Sequence, residues 1–414
     1  MEYGLIGEKL GHSYSPQIHA QLADYSYELK AMPPEALEGF LTARDFKGLN
    51  VTIPYKQAVI PHCAELSDEA KDIGSVNTLV VRKDGSMIGH NTDIGGFTYM
   101  LHQAGIDPKD CKAVVLGSGG TSLTARTALK RMGAREIIVV SRKGPVDYDS
   151  LYADHADAEI LVNTTPVGMY PKTGVSPVEL DRLPNVKGVV DVIYNPEKTR
   201  LILDAQAKGI PCVSGLPMLV AQAREAAEWF TGKAISPEVV GKIVGTIKGQ
   251  TLNLVLVGMP GCGKSTLGAI LAKAMNRTLI DCDAEIVKRT GMSIPEIFER
   301  FGEAHFRGLE SQVIQDVCSG SGAIIATGGG AILRKENVEA MRQNGRICFI
   351  RRDIDLLPRN GRPLSSASED AVAKLWQQRK DKYHAAADFI ADNSGAPEVT
   401  AAQIEEGFHE AAHH

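Results

Sequence analysis

Leu252-Asn253-Leu254-Val255-Leu256-Val257-Gly258-Met259-Pro260-Gly261-Cys262-Gly263-Lys264-Ser265-Thr266 sets the fold of the second part of this 414-residue chain. It opens as a near-continuous apolar run, the pattern of a strand buried on both faces. It passes at once into G-x-x-x-x-G-K-[ST] and then into a helical pattern, the context that gives this motif its meaning. The glycines let successive backbone N–H groups converge on phosphate oxygens, and the helix N-terminus adds its positive dipole end. Gly258, Gly261, Cys262, Gly263 and Thr266 are therefore expected around the phosphates of a nucleotide, which the loop alone does not identify further. Lys264 is expected on the terminal phosphates and Ser265 on Mg²⁺.

Downstream, a strand expected over 277–280 ends in Asp281-Cys282-Asp283. Carboxylates at a strand end sit beside the nucleotide in such sheets. The D-x-D spacing is read as placing the two on opposite faces of the pleat, one toward metal and one toward substrate. Then follow Phe306-Arg307-Gly308-Leu309-Glu310, Ala326-Thr327-Gly328-Gly329-Gly330, Arg359-Asn360-Gly361-Arg362-Pro363-Leu364 and Gln377-Gln378-Arg379-Lys380. In isolation Arg307 and Glu310, three apart on a helix, read as a surface ion pair.

As an ordered set these motifs resemble shikimate kinase over 250–414. The resemblance implies Asp281 near Mg²⁺ and Asp283 as the base on the attacking hydroxyl of shikimate. It implies Arg307 and Arg379 on the substrate carboxylate, with Gly328, Gly329 and Gly330 lining the substrate. Arg362 would close on the phosphates from a lid, and Arg359 would lie near the adenine. Two guanidinium groups suit a small carboxylate, because each offers paired donors. They do not by themselves exclude another small carboxylated polyol.

The first part alternates apolar runs with helical patterns, as α/β architecture does. Runs at 113–116 and 136–140 flank a helical stretch over 121–132, a βαβ unit. Further runs at 159–162, 188–192 and 210–213 extend it to a doubly wound, Rossmann-like parallel sheet. Gly117-Ser118-Gly119-Gly120-Thr121-Ser122 stands at the first strand–helix turn and approximates G-x-G-x-x-G. The next strand ends in Ser141-Arg142-Lys143, where an NAD site would carry an acid. Two cations there predict a ribose 2′-phosphate, hence NADPH/NADP. The span 143–159 is short for a full crossover, so one helix is expected to be missing.

Residues 1–100 form a separate α/β unit, with a strand at 2–6 and another at 47–53. In Ser13-Tyr14-Ser15-Pro16, Ser15 is expected as helix N-cap with Pro16 at N1. Asp93 in Gly89-His90-Asn91-Thr92-Asp93 is expected to cap a helix starting near 95. The helix over 217–231 is expected to pack back on this unit. These blocks, with Asn50-Val51-Thr52-Ile53-Pro54-Tyr55-Lys56, Ser75-Val76-Asn77-Thr78, Asn163-Thr164-Thr165, Asp191-Val192-Ile193-Tyr194-Asn195-Pro196 and Gly215-Leu216-Pro217-Met218, resemble shikimate dehydrogenase over residues 1 to about 247. The resemblance implies Lys56 and Asp93 as the catalytic pair. It implies Ser13, Ser15, Asn50, Thr52, Asn77, Asp93 and Gln222 as ligands of 3-dehydroshikimate, with Tyr194 close by. Thr164, Gly215 and Met218 would contact NADP.

The expected organisation is a substrate domain at 1–100 completed by 215–247, an NADP domain at 101–214, and a P-loop kinase domain at 250–414. The two activities would be consecutive: a ketone is reduced at carbon 3 and the new hydroxyl is phosphorylated. A metabolite sensor without turnover is the competing class, but Lys56, Asp93, Lys264, Ser265, Asp283 and Arg307 are all present.

Composition agrees with a globular enzyme: 43% hydrophobic, 23% charged and a formal net charge of -5. That charge suggests neither a nucleic-acid nor a membrane partner. Seven scattered cysteines, none in C-x-x-C, read as reduced buried thiols. Without a charged-then-apolar leader, a cytoplasmic location is expected. The tail from 409 to 414 is expected to be helical or frayed.

Overall fold

The computed structural model describes residues 1–11, 13–357 and 369–413. They form two compact units. One comprises 1–167, 176–194 and 204–244; the other comprises 168–175, 195–203 and 245–414.

The first unit holds two sheets. β1 (Tyr3–Gly7), β2 (Tyr27–Ala31), β3 (Gly48–Val51), β4 (Glu65–Leu66), β5 (Thr78–Val81) and β6 (Met87–His90) lie in the order β2-β1-β3-β5-β6-β4. β1 runs parallel to β2 and β3, whereas β5 pairs antiparallel with β3 and β6. The helix Leu216–Thr231 returns to this sheet. Its Phe230 ring lies 5.1 Å from that of Tyr3, and the Tyr3 hydroxyl donates to the Phe230 carbonyl at 3.2 Å. Gly48 permits this approach, since a Cβ there would meet the Phe230 ring at 2.5 Å.

β7 (Lys112–Leu116), β8 (Glu136–Val140), β9 (Ile160–Asn163), β10 (Gly188–Asp191) and β11 (Cys212–Val213) form an all-parallel sheet in the order β11-β10-β9-β7-β8. Val114, Val115 and Leu116 are wholly buried, as a strand covered by helices on both faces requires. The expectation of a missing helix is corrected. Tyr148–Asp154 forms two turns between β8 and β9, because Asp147 caps it by accepting from the Ser150 N–H at 2.9 Å.

In the second unit, β12 (Asn253–Val257), β13 (Leu279–Asp281), β14 (Ile324–Ala326), β15 (Gly345–Arg351) and β16 (Phe389–Asp392) lie in the order β13-β14-β12-β15-β16, all parallel. Every residue of β12 is buried. The long helix Ile294–Cys318 is broken at Gly302, whose φ of 77° no helix accommodates. The tail is a packed helix, Pro397–His413, with Phe408 fully buried. No described helix is long and apolar enough to cross a membrane.

Two packing features give measurable consequences. Asn253 is fully buried; its amide donates to the carbonyls of Cys318 (3.3 Å) and Gly320 (2.8 Å) and accepts from the Ala323 N–H at 2.9 Å. Asn253→Ala strands these backbone groups and is expected to cost about 1–3 kcal/mol of the second unit's stability, read by denaturant titration. In the first unit, helices Asp93–Gln103 and Leu216–Thr231 cross at Gly95 and Gly96. A Cβ on Gly95 would fall 1.9 Å from Oε2 of Glu225, so the glycine leaves the space which that carboxyl fills. Burial, reinforced by Glu69, Glu228 and Asp93 and opposed by Arg224, raises Glu225 from the ordinary 4.5 to about 7. The folded state therefore keeps a proton that the unfolded chain releases, and this contribution to stability is lost as pH climbs from 4.5 through about 7. Glu225→Gln should flatten the fall of the melting temperature across that window and exceed the parent's melting temperature at pH about 8.

Candidate active sites

Lys56 lies five residues beyond the end of β3, and its Nζ donates to Oδ2 of Asp93 at 2.6 Å. Both side chains are partly exposed, 31% and 18%, so the pair faces a surface that a ligand can reach. Asp93 is not the helix cap. The helix begins at Asp93 itself, Thr92 holds the cap position, and the Asp93 carboxylate is turned to Lys56 instead.

A polar chain extends from this pair. Asn77 Oδ1 accepts from the Thr92 N–H at 2.9 Å and from the Thr78 hydroxyl at 3.0 Å, while its Nδ2 donates to Thr92 Oγ1 at 3.1 Å. Asn50 Oδ1 accepts from the Tyr27 hydroxyl at 2.7 Å, and its Nδ2 donates to Thr78 Oγ1 at 3.1 Å. Thr92 also donates to Oε1 of Gln222 at 3.4 Å, and Gln222 Nε2 donates to the Leu219 carbonyl at 2.8 Å. These bonds fix which end of each amide points where. Ser13 and Ser15 share a hydrogen bond of 3.1 Å, and Ser15 also faces the Tyr27 hydroxyl. Ser15 is the first helical residue and does not cap; Ser13 Oγ instead accepts from the Ser15 N–H at 3.2 Å. Thr52 ends the strand path, its N–H donating to the Ile6 carbonyl at 2.9 Å. Tyr194 is 40% exposed, with its ring 6.0 Å from that of Tyr14.

Tyr27, Thr78 and Thr92 are site residues beyond those the sequence patterns assign. The threonines stand inside the polar clusters, which was a usable signal; Tyr27 has no local signal. Below the network, His19 stacks on Tyr27 at 3.9 Å, and burial pulls its pKa down to about 3, so this floor is uncharged near neutrality.

At the first strand–helix turn, Gly117 has φ 105°, and a Cβ on it would meet Thr164 Oγ1 at 2.8 Å. Thr164 is held by its own bond to the Leu116 carbonyl, 2.6 Å. Cβ atoms on Gly119 and Gly120 would meet nothing within 4 Å, so the turn beside Ser118 and Thr121 opens outward at the start of the helix Gly120–Arg131. After β8, Arg142 and Lys143 are exposed, Ser141 is half-buried, and the acid that follows, Asp147, is engaged by Ser150. A glycine cradle at a helix N-terminus and two exposed cations fit a dinucleotide with a 2′-phosphate. Gly215 is forced to be glycine, because a Cβ would meet the Val192 carbonyl oxygen at 2.0 Å; Met218 follows in the first turn of the next helix.

In the second unit Gly258, Gly261 and Gly263 have φ of 151°, 84° and 102°, conformations a side chain would strain. Lys264 Nζ folds back on the loop, donating to the carbonyls of Gly258 (2.8 Å) and Met259 (3.0 Å). Asn393 braces the turn by donating to the Cys262 carbonyl at 2.8 Å. Ser265 and Thr266 open the helix Lys264–Ala274. The Ser265 hydroxyl donates to Oδ2 of Asp281 at 2.7 Å. A hydroxyl and a carboxylate meeting beside a phosphate loop are hard oxygen donors and fit Mg²⁺.

The reading of Asp281 and Asp283 on opposite faces of a pleat is corrected. β13 ends at Asp281, which caps the helix Cys282–Thr290, and Asp283 already sits in that helix's first turn. The two carboxylates diverge because the chain turns, whereas two residues apart in a strand would share a face. The Arg307–Glu310 pair is not superficial either: it is 2.7 Å long, with Arg307 8% and Glu310 0% exposed. Glycines gather the site. A Cβ on Gly328 would meet Glu310 Oε1 at 2.6 Å and Asp283 Oδ1 at 3.0 Å; one on Gly329 would meet Pro260 at 2.7 Å; one on Gly330 would meet the Arg307 guanidinium at 2.3 Å. Buried Arg379 donates to the Gly329 carbonyl at 3.0 Å, joined there by the Tyr383 hydroxyl at 2.5 Å. Burial raises the Glu310 pKa against the pull of Arg307. Glu310 and Tyr383 had no assigned role from sequence. Arg359 and Arg362 lie outside the described residues.

Comparison with known proteins bears on both parts. Residues 5–79 match the family model of the shikimate dehydrogenase substrate binding domain, and residues 260–408 match that of shikimate kinase. Over 244 residues the chain is 40% identical to the shikimate dehydrogenase (NADP(+)) of Clostridium beijerinckii, covering 55% of this chain and 90% of the relative. Among solved structures it is similar to a chorismate mutase/shikimate 5-dehydrogenase fusion protein from Clostridium acetobutylicum, with TM-score 0.56 and 38% identity over 59% of this chain and 96% of the other. It is also similar to the Thermus thermophilus shikimate 5-dehydrogenase in complex with NADP(H) and shikimate, with TM-score 0.53 and 33% identity over 59% and 98%. The chain belongs to the shikimate dehydrogenase family and carries a shikimate kinase domain behind that region, the composition of a bifunctional enzyme of the shikimate pathway.

Proposed function

We propose that the chain reduces 3-dehydroshikimate to shikimate with NADPH and then transfers a phosphoryl group from ATP to the new hydroxyl. The observation that carries this reading is the presence of two separate charge sets in one chain: Lys56 on Asp93 at 2.6 Å, and Ser265 on Asp281 at 2.7 Å under a phosphate loop.

NADPH supplies the hydride when bound. Lys56 gives its proton to the oxygen that gains negative charge, and Asp93 holds the ammonium in position. Asn50, Asn77 and Gln222, already oriented by Tyr27, Thr78 and Thr92, hold substrate polar groups together with Ser13, Ser15, Thr52 and Tyr194. Orientation fixed before binding is the main contribution such residues make. Gly117, Ser118, Gly119, Gly120 and Thr121 take the pyrophosphate, Arg142 and Lys143 with Ser141 the 2′-phosphate, and Thr164, Gly215 and Met218 the nicotinamide side.

ATP supplies the phosphoryl group, and transfer needs alignment and charge neutralisation more than covalent help. Lys264 exchanges the loop carbonyls for phosphate oxygens. Ser265 and Asp281 hold Mg²⁺. Asp283 accepts the proton of the attacking hydroxyl, while Arg307 and Arg379 fix the carboxylate against the turn of Gly328, Gly329 and Gly330. Arg359 and Arg362 act on the nucleotide. The sequence reading assigns 1–100 with 215–247 to the dehydrogenase substrate, 101–214 to NADP and 250–414 to the kinase, whereas the chain's compact units divide differently, 168–175 and 195–203 lying with 245–414. The partners are small molecules in the cytoplasm, with neither nucleic acid nor membrane involved.

Purified chain given 3-dehydroshikimate, NADPH and Mg·ATP should accumulate shikimate 3-phosphate by mass spectrometry, dependent on both cofactors. Lys56→Ala should slow reduction by about 10²–10⁴-fold while phosphorylation of added shikimate continues. Lys264→Ala should do the reverse. A folded variant of either kind that lost both activities would refute two independent sites.

A further inference from the structure

Residues 195–203 stand within the part of the chain that resembles shikimate dehydrogenase in sequence, 1 to about 247, yet they fold in the same compact unit as 245–414. Three residues, Glu197, Lys198 and Arg200, carry the attachment. Glu197 is 7% exposed and grips Arg346, itself 2% exposed, through two parallel bonds of 2.9 and 3.1 Å. Lys248 adds a third bond to the same carboxylate at 2.9 Å. The Glu197 N–H donates to Asn344 Oδ1 at 3.4 Å. The Lys198 N–H donates to the carbonyl of Gln343 at 2.8 Å, the last residue of the helix Lys335–Gln343, where helix carbonyls lack intrahelical partners. Arg200 pairs with Glu339 of that helix at 2.7 Å.

We propose that residues 195–203 are a built-in part of the kinase fold, with Glu197 as its buried anchor, so that phosphorylation depends on a segment carried inside the dehydrogenase sequence.

The remaining guanidinium nitrogen of Arg346 donates to the Ala411 carbonyl at 2.8 Å, so the arginine is committed on every side. Burial works against the charge on Glu197, but Arg346 and Lys248 hold its carboxyl well below the usual range. Removing one member of a buried pair strands the other's charge, which costs far more than losing a surface pair. The stranded charge would lie in β15, the strand paired with β12, where Arg346 is in register with Leu254. The same strand reaches the phosphate loop: a Cβ on Gly258 would meet the Ile350 carbonyl oxygen at 2.6 Å. The anchor and the loop are thus two ends of one strand. A kinase delimited at 250 would lack both the partner of Arg346 and the cap on Gln343.

The test uses the full chain with Glu197→Ala and Glu197→Gln, measuring both activities in one sample after graded heating. The kinase inactivation midpoint should fall by about 10 °C for Glu197→Ala, less for Glu197→Gln, while the dehydrogenase midpoint stays within about 2 °C of the parent. Amide exchange over 345–351 should speed up in both variants. Should Glu197→Ala fail to accumulate folded, Glu197→Gln, which keeps the shape of the side chain, decides. Unchanged kinase inactivation, or an equal fall in both activities, would overturn the proposal. A parent chain without kinase activity would sink the functional reading instead, and the exchange rates would still decide on the anchor.

Discussion

A phosphate can be held with few side-chain cations when several backbone N–H groups converge on it, and that convergence needs a helix starting directly behind a buried strand. This chain meets the constraint twice. The turn at Gly117, Ser118, Gly119 and Gly120 joins β7 to the helix Gly120–Arg131, and the turn from Gly258 to Gly263 joins β12 to the helix Lys264–Ala274. In both units the strand before the turn is buried along its length, so the turn cannot drift. The remaining site residues hang from that geometry: Thr164 and Gly215 at neighbouring strand ends in the first unit, Asp281 and Gly328 in the second.

The two proposed substrate sites solve orientation differently. Around Lys56 and Asp93 the protein uses neutral amides and hydroxyls, each amide oriented by a bond to a threonine or tyrosine. Around Arg307 it uses buried charge, with Glu310 and Glu303 both engaging the guanidinium. A neutral network tolerates partial exposure to water. A buried charged one demands tight packing, and the triple glycine turn provides it by letting Arg307, Asp283 and Pro260 approach closer than any side chain would allow.

What could be read from sequence follows from how local each signal is. Both phosphate turns are written in contiguous residues, so strand, loop and helix are legible together. Ser15 and Asp93 look like caps in sequence, where a capping side chain and a site side chain are alike, yet each is the first residue of its helix. Only the position of Lys56 shows where the Asp93 carboxylate goes. The helix at 148–154 leaves little trace in the sequence because two turns suffice once Asp147 caps them. Tyr27 reaches Asn50 across 23 residues, and Tyr383 reaches Gly329 across 54, distances over which no spacing rule operates. The break at Gly302 is concealed by the helical pattern around it.

The carboxylate of Asp281 divides its two oxygens between tasks. Oδ1 accepts the N–H groups of Asp283 and Ala284 and so starts the helix, while Oδ2 faces Ser265. The group that meets the phosphate loop is the same group that fixes where Asp283 begins its turn. An exchange at this position cannot retune one without moving the other. Architecture and chemistry are thus inherited here as a single unit, and drift at residue 281 is constrained twice over.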